Sequence, residues 1–405
     1  MSTLRILMHC HDALGLSHTA RALWIAGEIS KHFEKSSILL LTDLAIVGKF
    51  KIPDNVDYVH LPGIVHEGEA GYRARNLNIK AKKTLRIRCK IAQSAAKTFK
   101  PQIMIIDRNP LELPREMRRV LAFVREVLPT TRIVWVLPDV LGAPENVVAG
   151  WQKEDVYKVF RHYCDEIWVF GAKKFFDVAK AYELPQDLEK RLVYTGWLKS
   201  MPQNKEPRPI RDLQNNGTDR PTVLVTAGSG VHAGPLLDTY MRFLEQWRDK
   251  ISFKSVVITG PMMPSAEKRR LMERAASLPN VVFHRFSKHI REYVRHSHLV
   301  LNNGGYNSLC EILSAEKKAL LAPAAVQANE HLMRASLMQK IGAVDMLSPE
   351  QLSPEMLGEY VFSALSRNRN GKATGLVPSV LPFNGLSAIM DRILHLAPRK
   401  ISKLS

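Results

Sequence analysis

The stretch Leu299 to Ile312, LVLNNGGYNSLCEI, constrains the fold more than any other part of the chain. The apolar residues from His298 to Leu301 read as a buried strand, Asn302 to Gly305 as a glycine turn, and the remainder as a helix whose first turn carries Asn307 and Ser308. Gly304 and Gly305 let the backbone come close to a ligand. The helix behind them offers unpaired N–H groups and the positive end of its dipole to an anion. Glu311 falls one helical turn past Asn307, where a carboxylate suits a pair of sugar hydroxyls better than a phosphate. Together these residues suggest a nucleoside diphosphate whose ribose reaches Glu311. The spacing is not GxxxxGK[ST], which excludes a P-loop, and GxGxxG is missing, which weakens a dinucleotide reading. The same residues also suit an ordinary strand-to-helix connection, so the rest of the chain has to decide.

That unit recurs. The N-terminus gives a strand from Leu4 to His11, a turn, and a helix from His18 to Phe33, with GLSHTAR at the junction. Strands follow at Ser37–Leu41, Gln102–Ile106, Thr131–Val136 and Glu166–Phe170, separated by helical segments. After Tyr194, Thr195 and Gly196 the composition turns rich in proline, asparagine and charge, which reads as a linker. A second alternation opens at Thr222 with a glycine loop from Ala227 to Gly230, then strands at Ser255–Thr259, Val281–Phe283, Leu299–Leu301 and Ala319–Leu321. The expectation is an α/β chain of two Rossmann-like, doubly wound domains: residues 1–198, a linker over 199–220, a second domain over 221–382, and a last amphipathic helix within 383–405. At 405 residues and 45% hydrophobic composition, each domain can hold its own core.

Open parallel sheets place ligands at the carboxyl ends of their strands. Asp107 and Asp139 both stand there, and either could orient His18 at the first helix start, with the IMIID strand favouring Asp107. The helix dipole is expected to lower the His18 pKa and keep the imidazole neutral, as a general base requires; a polar helix cap is the plainer alternative. His9 and His11 share a strand face and, with His18, raise a metal reading that no carboxylate or cysteine spacing supports. Past Pro323, AAVQANEHLMRA opens a helix that could bring Gln327, Asn329, Glu330 and His331 to the second sheet's edge. The four cysteines form no CxxC pair and are expected to be reduced core thiols. With no signal-peptide pattern and no apolar run of membrane-spanning length, a cytoplasmic location is expected, peripheral at the inner face of the membrane if the basic segment docks there.

The net charge of +19 is concentrated. Ten positive charges and no acidic residue lie between Arg73 and Lys100, where Leu77, Ala81, Leu85, Cys89, Ala92, Ala96 and Phe99 recur at spacings of three and four. The segment reads as an amphipathic helix with a cationic outer face: either a solvated surface, or a contact for anionic membrane, an anionic acceptor or nucleic acid. The absence of interleaved aromatics counts against single-stranded nucleic acid.

Taken together, GLSHTAR, TAGSG, HRFSKHI, NNGGYNSLCEI and a proline followed by NEHLMRA resemble the nucleotide-sugar glycosyltransferases of GT-B fold. The resemblance is to family 28 enzymes related to the peptidoglycan N-acetylglucosaminyltransferase MurG, and especially to a bacterial branch of predicted glycosyltransferases. It implies two domains facing across a cleft, the donor held by the second and the acceptor by the first, with the last helix crossing back to the first. Residue by residue, it implies that Gly304, Gly305, Asn307 and Ser308 hold the diphosphate and Glu311 the ribose, while Gly228, Ser229 and Gly230 cap the phosphates. Phe286 and Ser287 would lie against the base, Glu330 and His331 at the donor sugar, and His18 would be the base, with Gly15 and Ser17 in the acceptor-side loop. Ser17 stands where a second glycine is common and His331 where a glutamine is common, so neither acceptor approach nor donor sugar carries over. No DxD motif occurs, in line with a metal-independent enzyme without a cofactor. The expected activity is inverting transfer from a UDP-sugar to a hydroxyl of a glycan, lipid-linked or small-molecule acceptor. The rivals are a UDP-N-acetylglucosamine 2-epimerase-like isomerase and a non-catalytic basic protein that binds nucleotide or membrane.

Overall fold

The computed structural model describes residues 3–12, 15–66, 71–107, 109, 114–199, 220–325, 330–367 and 381–398. Most of the expected linker, and Gln327 and Asn329, lie outside these residues. The chain divides into two compact units, one ending at Leu198 and resumed from Pro382, the other running from Lys199 to Leu381.

The first unit is built on a sheet of seven parallel strands. In chain order they are β1 (Leu4–Cys10), β2 (Ser36–Thr42), β3 (Val56–His60), then, after an antiparallel hairpin of β4 (Ile64–His66) and β5 (Tyr72–Ala74), β6 (Ile103–Asp107), β7 (Arg132–Pro138), β8 (Glu166–Phe170) and β9 (Leu192–Tyr194). Their spatial order, β3-β2-β1-β6-β7-β8-β9, reverses between β1 and β6. Helices cover both faces, which is why β6 and β8 are buried at every residue and read as continuous apolar runs. Trp135, Trp151 and Phe160 anchor the core on one side through edge-to-face contacts.

The second unit repeats the plan with β10 (Thr222–Thr226), β11 (Lys254–Ile258), β12 (Val281–His284), β13 (Leu299–Asn302), β14 (Ala319–Leu321) and β15 (Asp345–Met346), ordered β12-β11-β10-β13-β14-β15 and all parallel. Its order reverses between β10 and β13.

The helix Gly385–Leu396 belongs to the first unit. Gly385 N–H donates to the Trp197 carbonyl, Trp197 N–H to that of Pro382, and Arg392 pairs with Glu166. Gly196 has a φ of +90°, and a Cβ there would come 2.3 Å from Asn384 Oδ1, so only glycine admits this approach.

One expectation fails. Arg73 to Lys100 is not a single helix: Arg73 lies in β5, Leu77 is 44% exposed in the following loop, and the helix α2 runs from Ala81 to Phe99. Asn76 and Asn78 favour local turns over helix, which accounts for the late start. Lys82, Lys83, Arg86, Lys90 and Lys97 are exposed, but Arg88 is buried beneath the helix.

Candidate functional site

In the first unit the site begins where β1 and β6 part. The helix α1 (Ser17–His32) starts just past β1, and Asp107 is the last residue of β6. His18 Nδ1 lies 2.8 Å from Asp107 Oδ1, and Arg21, one turn further along α1, forks onto both oxygens of Asp107 at 2.8 and 2.6 Å. Arg21 is itself buried, with its guanidinium 5.5 Å from the Phe170 ring centroid. Arg21 Nη2, which can only donate, also lies 3.1 Å from His18 Nδ1, but the ionised Asp107 oxygen is closer and can only accept, so the proton goes on Nδ1 and Nε2 is left as the basic nitrogen. Asp107 is ionised: burial would raise its pKa, but Arg21 and His18 hold it down to about 2.

The expectation of a lowered His18 pKa is not met. Burial does disfavour the imidazolium, yet the charge and hydrogen bond of Asp107 outweigh both it and the opposing Arg21, and the pKa stands above its ordinary 6.5. Nor is His18 the cap of its helix. Asp12 takes that part, its carboxylate accepting from His18 N–H at 3.1 Å and Thr19 N–H at 2.8 Å. Asp139 is occupied elsewhere, accepting from Val140 N–H and the Trp197 indole. Gly15 lies beside Asp12, and Ser17 is exposed as the first residue of α1. The three histidines of the metal reading each meet a different carboxylate: Glu116 for His9, Asp43 for His11 and Asp107 for His18.

In the second unit the two glycine turns follow β10 and β13, the strands between which the order reverses. Asn302 ties them together, its amide donating to the Thr226 carbonyl at 2.7 Å while its oxygen accepts from Gly304 N–H at 2.8 Å. Gly228 (φ +61°) and Gly230 (φ +95°) shape the first turn, with Ser229 between them. A Cβ on Gly228 would sit 3.6 Å from Ser308 Oγ, so this turn meets the first turn of the helix Tyr306–Ser314. Gly304 adopts a φ of +86°, and a Cβ there would press on the His331 carbonyl at 3.2 Å. Gly305 faces the His331 imidazole, whose pKa is lowered by burial, against Glu330 and with Arg334 and His232 adding to the fall.

Asn307 and Ser308 are half-buried at that helix start. Glu311 follows, nearly buried, with Oε1 3.4 Å from Arg291 Nε. Burial pushes its pKa up to about 7, with Arg291 pulling the other way. Phe286 and Ser287 are half-buried in the turn after β12, where Ser287 Oγ accepts from His289 N–H and leads into the helix Ile290–His296 that carries Arg291. Glu330 is paired with the buried Arg334, which also donates to the Gly304 carbonyl and lies over the Tyr306 ring.

The sequence reading missed Arg21, Arg291, Arg334 and Asn302. Arg21 and Arg334 carried a usable signal, standing three residues after His18 and four after Glu330 and so on the same helix faces.

Residues 222–374 match the family model of the glycosyltransferase family 28 C-terminal domain. No curated protein matches the sequence. Among solved structures the chain is similar to CalG4, the calicheamicin glycosyltransferase, at 16% identity and TM-score 0.62 over 98% of this chain and 99% of that one. It is similar to MurG of Acinetobacter baumannii at 13% identity and TM-score 0.59, over 97% and 99%. A protein of Listeria monocytogenes assigned as a UDP-N-acetylglucosamine 2-epimerase gives 13% identity and TM-score 0.62, over 97% and 95%. The fold is the GT-B fold. Within its second unit, residues 222–374 carry the match to the glycosyltransferase family 28 C-terminal domain.

Proposed function

We propose that this protein is an inverting glycosyltransferase that moves a sugar from a UDP-sugar to an acceptor hydroxyl. The observation that carries the reading is the His18–Asp107 pair at the carboxyl edge of the first sheet, with Nε2 left as the proton acceptor. His18 takes the acceptor's hydroxyl proton on Nε2, the oxygen attacks the anomeric carbon, and the bond from that carbon to the diphosphate breaks. The departing UDP gathers negative charge. Gly228, Ser229 and Gly230 on one side, and Gly304, Gly305, Asn307 and Ser308 on the other, offer backbone N–H groups and a helix start to stabilise it without a metal. Glu311 accepts from ribose hydroxyls, Phe286 and Ser287 lie against the base, and Glu330 and His331 meet the donor sugar.

The epimerase among the structural neighbours supports one alternative, an isomerase. Incubation with a UDP-sugar alone separates them: an isomerase yields isomerised donor or a free epimer without any acceptor, whereas a transferase joins sugar to acceptor as UDP appears.

The exposed face of α2 suits an anionic surface, which would bring the enzyme to the inner face of a membrane and to a lipid-linked acceptor. A basic residue near such a surface contributes about 1 kcal/mol. Reversing Lys82, Lys83 and Arg86 to Glu should therefore abolish binding to phosphatidylserine vesicles and spare UDP binding. Equal sedimentation of both proteins with vesicles would make this face a solvated one.

A further inference from the structure

The His18 ring is held by Asp107, but the backbone that carries it is held by a separate set of charges. Asp43, just past β2, is fully buried and sits at its centre. Its Oδ1 accepts from Asp12 N–H at 2.8 Å, and its Oδ2 accepts from His11 Nδ1–H at 2.6 Å and from Arg88 Nη1 at 3.0 Å. Arg88 reaches up from α2, donating also to Glu116 Oε2 at 2.9 Å and to the Pro62 carbonyl. Arg75 clamps the same corner, donating to the backbone carbonyls of Asp43 and Asp12 at 2.9 and 3.1 Å. Asp12 in turn grips the N–H groups of His18 and Thr19.

Burying these charges is expensive, and apolar residues of similar volume commonly hold a core at least as well. Their placement gives them another use. Two of the links, from Asp43 to the Asp12 N–H and from Arg75 to the Asp12 carbonyl, end on the residue that grips the start of α1, and a helix start displaced by even an ångström would carry the His18 ring away from Asp107.

We propose that Asp43 is a positioning residue for His18: neutralised by Arg88, it fixes Asp12, and Asp12 fixes the start of α1 so that the imidazole meets Asp107. This rests on the reading of His18 as the base.

The test uses the full chain and the variant Asp43→Asn. An amide has one acceptor oxygen and must turn its NH₂ toward a donor, either Asp12 N–H or the Arg88 and His11 pair, so one side of the clamp is lost. The readout is the His18 ring by NMR, assigned through its absence in His18→Gln. In wild type the Nδ1–H proton should be shifted downfield and protected from exchange. In Asp43→Asn that protected signal should be lost and the ring's titration should fall back toward the ordinary histidine value. If Asp43→Asn does not fold, Arg88→Lys keeps the charge without the two-pronged fork and should give the same changes in milder form. A folded variant that melts earlier yet keeps the protected proton and the wild-type titration would overturn the proposal, making Asp43 a purely structural residue. If the ring signals move while turnover of a UDP-sugar does not, the positioning stands and it is the role of His18 as base that fails.

Discussion

Replacing His18 with alanine should lower turnover by roughly 10²–10⁴-fold and leave UDP affinity near the wild-type value. The size follows from the role. A proton must leave the acceptor hydroxyl as the new bond forms, and Nε2 is the basic atom that the Asp107 contact leaves in place. UDP affinity should hold because the proposed diphosphate contacts are all made by the second unit. The plainer view of His18, as a helix cap, predicts the reverse: a stability loss of about 0.5–2 kcal/mol with normal turnover in the folded fraction. The structure already assigns the capping hydrogen bonds to Asp12. The pH profile separates the two further. Neutral imidazole is the active form and its pKa is raised, so wild-type turnover should climb with pH through an ionisation above 6.5. In His18→Ala that limb should vanish. A variant with an unchanged profile would remove His18 from the chemistry.

Glu311→Ala should weaken UDP binding by about 1.5–3 kcal/mol, the range for a hydrogen bond to a charged group. The fold should stay intact, because the Glu311 contact with Arg291 at 3.4 Å is long and partly exposed. The effect should depend on pH with a definite sign. Ribose hydroxyls donate to the carboxylate, whose pKa stands at about 7, so wild-type affinity should fall as pH drops below that value. UDP itself titrates in this range, and Glu311→Ala carries the same ligand titration without the side chain. The difference between the two calorimetric profiles therefore belongs to Glu311. Equal affinities across pH would take this residue out of the donor site.

The fold class was legible because parallel strands covered on both faces leave continuous apolar runs such as IMIID and EIWVF. The strands that escaped notice are the edges and the hairpin: Val56–His60, VDYVH, has neither a continuous apolar run nor a strict alternation, and Leu192–Tyr194 and Asp345–Met346 are too short to show a period. On α2 the expected stripe held at Cys89, Ala92 and Ala96 and missed at the helix start, where Thr84 and Arg88 are buried rather than Ala81 and Leu85. The charge count therefore placed Arg88 on the surface when it lies inside. No local pattern shows a buried ion pair whose partners, Asp43 and Glu116, come from distant segments. The same limit governs His18. A helix dipole can be read from one stretch of sequence and lowers its pKa, but the stronger influence, Asp107, arrives from a strand 89 residues away. The glycine turns were readable as turns between a strand and a helix. That each follows a strand at which the sheet order reverses came only with the topology.

The most direct measurement is UDP release from a panel of UDP-sugars, followed with and without candidate hydroxyl acceptors, with the products identified by NMR. The account predicts release that rises when an acceptor is supplied, sugar joined to that acceptor with its anomeric configuration inverted, and loss of this activity in His18→Ala. Isomerised donor or a free epimer formed at the same rate without acceptor would contradict it, as would transfer with the configuration retained.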